Sequence, residues 1–184
     1  MPPLTESRSL VDLLRPWPSP IREDGSVLLG RTLDIEAVSR ELSQGGLVTV
    51  VGPGGVGKTT LARHVMSRTS NLDRQPKFVD LTGASSSGLL GSIVGSIGYG
   101  SLEQLVEDMG DLRWLVVLDN CEHLLGSVAV VTEALLQRCP RLSILATSRE
   151  PIEVGRVTVV RLAPLSLQGE PSPAAQFFFD SPRT

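Results

Sequence analysis

From Val27 onward the apolar positions of the chain switch repeatedly between two spacings. Short continuous runs stand at Leu47 to Val51, Phe78 to Leu81, Trp114 to Leu118, Leu142 to Ala146 and Val157 to Leu162. Runs of this length suit strands buried on both faces, so they predict a parallel sheet covered by helices. Between them the spacing is helical. Leu102, Leu105, Val106 and Met109 repeat at i, i+3, i+4, i+7, with Ser101 and Gln104 spaced as a capping box and Gly110 placed to stop the helix. Leu124, Val128, Val131 and Leu135 form a longer stripe. Cys139-Pro140 should end it, because a residue before proline is pushed out of the helical region. A further helix is expected after Thr32, where Leu33, Ala37, Val38 and Leu42 share a face and Asp34 and Glu36 lie in the first turn. The Gly/Ser-rich stretch from Gly83 to Ser101 predicts a marginal helix, since each helical glycine costs roughly 1 kcal/mol against alanine. No internal repeat is present.

Composition narrows the class. The 184 residues carry 17 Lys and Arg against 20 Asp and Glu, a net charge of -3, and 41% are apolar. That is one ordinary globular domain, large enough to fold without disulfide or metal. With no dense cluster of Lys and Arg, direct nucleic-acid contact is not expected. Cys121 and Cys139, in a chain lacking a secretory pattern at its start, point to a reducing, cytoplasmic setting. The longest uncharged run, Leu81 to Leu102, is too rich in Gly and Ser for a membrane helix, so no membrane partner is expected. Residues 1–26 are Pro-rich and read as a tail or linker.

Directly after the first apolar run comes Gly52-Pro53-Gly54-Gly55-Val56-Gly57-Lys58-Thr59-Thr60, which matches G-x-x-x-x-G-K-[ST] in the required strand-to-helix context. This is a P-loop, and these residues are the candidate nucleotide-binding set. Glycines let the backbone wrap a phosphate and aim N–H groups at it, in line with the positive end of the next helix. Lys58 supplies a point charge for the β- and γ-phosphates, and Thr59 a hydroxyl for Mg²⁺.

Trp114 to Asp119 reads as a Walker B strand ending in the metal-holding acid Asp119, with helix capping as its plainer alternative. The next position, where many such ATPases place a glutamate to activate water, holds Asn120, an amide and a poor base. Glu122 lies nearby but outside that register, so hydrolysis is expected to be slow or absent. Arg149, after Ile144 to Ser148, stands where a strand end can reach a γ-phosphate. Its alternative is a surface arginine paired with Glu150 or Glu153.

Taken in order, these motifs resemble the nucleotide-binding core of the STAND class of signalling ATPases, and within it the NB-ARC-like ATPases of large bacterial transcriptional regulators of the LuxR and AfsR types. The resemblance covers about Val27 to Asp180. It is carried by Leu28-Leu29-Gly30-Arg31, GPGGVGKTT at 52–60, FVDL at 78–81, LVVLDNCEHLL at 115–125 and LATSREP at 145–151. It implies an α/β, three-layer P-loop NTPase with a five-stranded parallel sheet over 27–170, the sensor strand lying between the P-loop and Walker B strands. It further implies Gly30 and Arg31 near adenine and ribose, Lys58 and Thr59 on phosphate and Mg²⁺, Asp119 as Walker B acid and Arg149 as sensor. ADP would hold a closed state and ATP an open, often oligomeric one.

Residues 171–184 read as the start of a truncated helical lid, without the helical and winged-helix lids of the family. Phe177 to Phe179 would then either self-associate, meet a partner or fold back on the sheet. The expectation is therefore an ATP/ADP-binding regulatory switch core. A remnant that binds nucleotide weakly remains open. A small-molecule kinase is disfavoured because no acceptor site or lid is marked, and a GTPase because no N-K-x-D motif occurs. Cys121, His123 and Cys139 lack the paired spacing of a zinc site.

Overall fold

A computed structural model of the chain describes residues 30–69, 72–73, 75–155 and 157–164, and the backbone of 177–179. The tail at 1–26, with Trp17, lies outside the described residues. The elements run α1 (Thr32–Leu42), β1 (Gly46–Val51), α2 (Lys58–Arg68), β2 (Lys77–Asp80), α3 (Leu89–Ser96), α4 (Leu102–Met109), β3 (Trp114–Asp119), a 3₁₀ turn (Cys121–His123), α5 (Leu125–Arg138), β4 (Leu142–Ser148), β5 (Val157–Arg161) and β6 (Phe177–Phe179).

The sheet order is β2-β3-β4-β1-β5-β6, and the first five strands are all parallel. β4 therefore separates the P-loop strand from the Walker B strand, as the resemblance implies. The unbroken apolar runs follow from burial on both faces. Leu115 and Val117 of β3, with Val48 and Val50 of β1, pack on Ile35 and Val38 of α1 and Leu61 and Val65 of α2. Their neighbours Val116 and Leu118 face the other way, onto Ile93 of α3, Leu105 of α4 and Val128 and Leu135 of α5. Trp114 is buried at the start of β3, its indole N–H donating to the Gln75 carbonyl at 2.8 Å.

The helix ends show which local signals acted. Ser101 Oγ accepts the Gln104 N–H at 3.3 Å, but the Gln104 side chain returns to Gly100 N–H, one residue earlier than a standard box. Gly110 follows α4 in right-handed conformation, so its role is close approach: a Cβ there would meet the Val106 carbonyl oxygen at 2.9 Å. Cys139 leaves the helical region at φ -123, ψ 80, as Pro140 demands. In α3, Leu89, Ile93 and Val94 are buried, while a Cβ on Gly91 or Gly95 would meet nothing within 4 Å. The glycines of the weak helix thus lie away from its packing.

One expectation is corrected. Phe177–Phe179 is not the first turn of a helix but a strand, β6, antiparallel to β5 with Val159 opposite Phe178. A parallel sheet ends in a row of unpaired backbone groups at β5, and three successive aromatics favour the extended pairing that satisfies them. The remainder of 171–184 lies outside the described residues, as do the side chains of 177–179.

Candidate functional site

The strands end on one edge of the sheet, and the candidate residues gather there. β1 runs into the P-loop at Gly52, whose N–H donates to the Ser148 carbonyl at 3.3 Å. Glycine is required at 52 because a Cβ would stand 2.7 Å from the Leu162 carbonyl oxygen. At the far end Gly57 turns the chain into α2 with φ 97, a conformation that side chains resist. No side chain caps α2 and no acid occupies its first turn, so its N–H dipoles stay unopposed. Lys58 Nζ bends back to the carbonyls of Gly52 (2.9 Å) and Pro53 (3.0 Å), which leaves the third proton of the ammonium for an anion.

Beneath the loop Thr59 Oγ1 lies 3.0 and 2.9 Å from the two carboxylate oxygens of Asp119. Asp119 is buried and also accepts a hydrogen bond from the Thr147 hydroxyl. Among the described residues no three His, Cys, Asp or Glu side chains converge. A hydroxyl and one carboxylate are hard oxygen donors, too few to cage Ca²⁺ but suited to Mg²⁺ that keeps waters and phosphate oxygens. Thr59 and Asp119 therefore fit that ion.

Asn120 adopts left-handed backbone, φ 62, its N–H donating to Thr147 Oγ1 at 3.1 Å. Its amide nitrogen faces Asp80 Oδ1 (3.0 Å), Thr82 Oγ1 (2.9 Å) and Asp119 Oδ2 (3.3 Å). It is thus a brace between β2 and β3. The Thr82 N–H, then the Asn120 amide, hold the Asp80 carboxyl below the ordinary carboxylate range. Cys121, turned inward with Sγ donating to the Leu118 carbonyl, has its thiol pushed up to about 12 by burial, then by the charges of Asp119 and Glu122.

Arg31 is buried beside the loop, following Gly30. Its Nη1 meets Asp34 Oδ2 at 3.1 Å and its Nη2 the Val56 carbonyl at 3.1 Å, tying the start of α1 to the P-loop. Arg149 follows β4. It pairs through Nε with Glu122 Oε1 at 3.2 Å, rather than with the nearby Glu150 or Glu153. Gly55, at φ 76, and Thr60, in the first turn of α2, complete the loop. Asp80, Thr82 and Thr147 join the network without having been singled out from the sequence, and Glu122, set outside the catalytic register there, joins it through Arg149. Asp80 carried a partial signal, since it ends the apolar run Phe78-Val79 as Asp119 ends its own.

A cavity of about 490 Å³ opens at the opposite edge of the sheet, lined by Gly45, Trp114 and Ser143 at strand starts and by Arg68, Arg113 and Arg141. It lies away from the P-loop. Among the described residues no helix is long and apolar enough to cross a membrane.

Residues 31–88 match the NB-ARC domain family. A Mycobacterium bovis protein named as a candidate HTH-type transcriptional regulator is 40% identical over 146 residues, covering 76% of this chain and 16% of that protein. An uncharacterized Mycobacterium tuberculosis protein is 35% identical over 164 residues, covering 84% of this chain and 41% of that protein. In fold the chain is similar to a signal transduction ATPase with numerous domains (STAND) bearing a tetratricopeptide repeat sensor, from Pyrococcus horikoshii. The TM-score is 0.55 and the identity 19%, over 81% of this chain and 25% of that one. The chain thus spans less than half of each of these relatives. With the family match lying across α1, the P-loop and β2, inside a sheet of this order, the chain is an NB-ARC-like P-loop core.

Proposed function

We propose that this chain is an ATP/ADP-binding regulatory switch core, binding nucleotide with Mg²⁺ and hydrolysing it slowly or not at all. The observation that carries the reading is the Thr59 hydroxyl set on both oxygens of Asp119 directly under the P-loop. The loop N–H groups and Lys58 would hold the β- and γ-phosphates, and Thr59 and Asp119 the ion. Mg²⁺, when bound, neutralises phosphate charge. Asn120 favours a switch over a fast enzyme, because an amide cannot take a proton at neutral pH and this one is engaged with Asp80, Thr82 and Asp119. The resemblance to regulators within much longer proteins supports a role in signalling or transcriptional control, in the cytoplasm. Arg149 would sense the γ-phosphate.

Calorimetric titration with ADP and with ATP, each with Mg²⁺, beside a Lys58→Ala control, tests the reading. Saturable binding lost in the control is expected. A folded wild-type chain that binds neither nucleotide would leave the weakly binding remnant as the better account.

A further inference from the structure

Arg149 stands just beyond β4 with its side chain 63% exposed, where a long flexible chain would sample many rotamers. One ion pair nevertheless restrains it beside the P-loop. Its Nε donates to Glu122 Oε1 at 3.2 Å, and its guanidinium lies near the P-loop, where a Cβ added to Gly54 would stand 3.7 Å from Nη2 and 3.9 Å from Cζ. The other end of the pair is firmly seated. Glu122 is 15% exposed and rides the 3₁₀ turn that the left-handed Asn120 begins. Its Oε2 is buried and has no hydrogen-bond partner among the described residues. The carboxylate is therefore committed to Arg149 rather than shared in a surface network.

We propose that Glu122 is a positioning residue that aims Arg149 at the terminal phosphate and so sets the preference for ATP over ADP. The inference rests on the nucleotide-binding reading above. A guanidinium carries its N–H groups in a rigid planar fork, so fixing Nε orients the terminal nitrogens as well. Near Gly54, they stand beside the loop that would hold the phosphates. ADP, one phosphate shorter, gains little from them. The ion pair lowers the ordering cost at the moment of binding because it already favours this orientation.

The test compares dissociation constants for ADP and for the non-hydrolysable AMPPNP, both with Mg²⁺, in wild type, Glu122→Ala, Glu122→Gln, Arg149→Ala and the double alanine variant. Glu122→Ala is expected to weaken AMPPNP by about fivefold, the scale of one exposed ion pair, with ADP unchanged. Glu122→Gln keeps an acceptor for Nε without the charge and should fall between. In the Arg149→Ala background, Glu122→Ala should change neither constant. Thermal melting without nucleotide reports folding, and there too the double variant should be no worse than Arg149→Ala alone. Unchanged or tighter AMPPNP binding in Glu122→Ala, or a loss that persists without Arg149, overturns the proposal. If wild type binds neither nucleotide, the nucleotide-binding reading falls and this inference with it. If it binds both and Glu122 has no effect, only this inference falls.

Discussion

Thr147, at the end of β4, donates its hydroxyl to the Asp119 carboxylate at the end of β3 and with the same oxygen accepts the Asn120 N–H. One buried atom thus fixes both the acid and the turn after it. Thr147→Val keeps the shape but leaves the half-buried Asn120 N–H without this partner and takes a donor from a buried carboxylate. It should destabilise the chain by about 1–3 kcal/mol, read as a lower midpoint in urea, and Thr147→Ser should recover most of the loss.

Arg31 and Asp34 form a buried ion pair, 2% and 5% exposed at their side chains. Removing one partner strands the other, so Arg31→Ala should cost about 3–5 kcal/mol. Replacing both, as Arg31→Met with Asp34→Leu, should restore stability yet still free the Val56 carbonyl. Nucleotide affinity should then fall in a well-folded protein. Unchanged affinity in the double variant would show that the tie to the loop is not needed.

The glycines of α3 give the opposite sign. Gly91 and Gly95 sit in a helix with open space where a Cβ would go. Alanine at each should raise stability by up to about 1 kcal/mol, through helix propensity and a less flexible unfolded chain. Thermal melting of Gly91→Ala and Gly95→Ala would show it.

How far such features could be read beforehand depends on how local their causes are. The strands of Leu47 to Val51 and Trp114 to Asp119 were legible because two-sided burial leaves an unbroken apolar run, and the P-loop because its glycines and Lys58 answer to local geometry. The stop at Cys139 came from its neighbour Pro140. Glu122 was set aside as out of register because Asn120's left-handed turn, which brings its carboxylate to Arg149, depends on Thr147, 27 residues along. Asp80 was quoted only as part of a strand, since its partner Asn120 is 40 residues away. Phe177–Phe179 looked helical because nothing nearby in sequence announces the open edge of β5.

The position of β1 in the sheet also governs the order in which the chain can fold as it leaves the ribosome. Its neighbours are β4 and β5, both made much later. The P-loop strand therefore has no sheet partner until residues past Leu142 emerge, and β2 and β3 can pair well before it. Such long-range parallel pairing forms slowly and leaves an apolar strand with two open edges in the meantime. The nascent chain is thus expected to be most exposed to aggregation while β1 waits, with the phosphate-binding loop among the last parts to take shape.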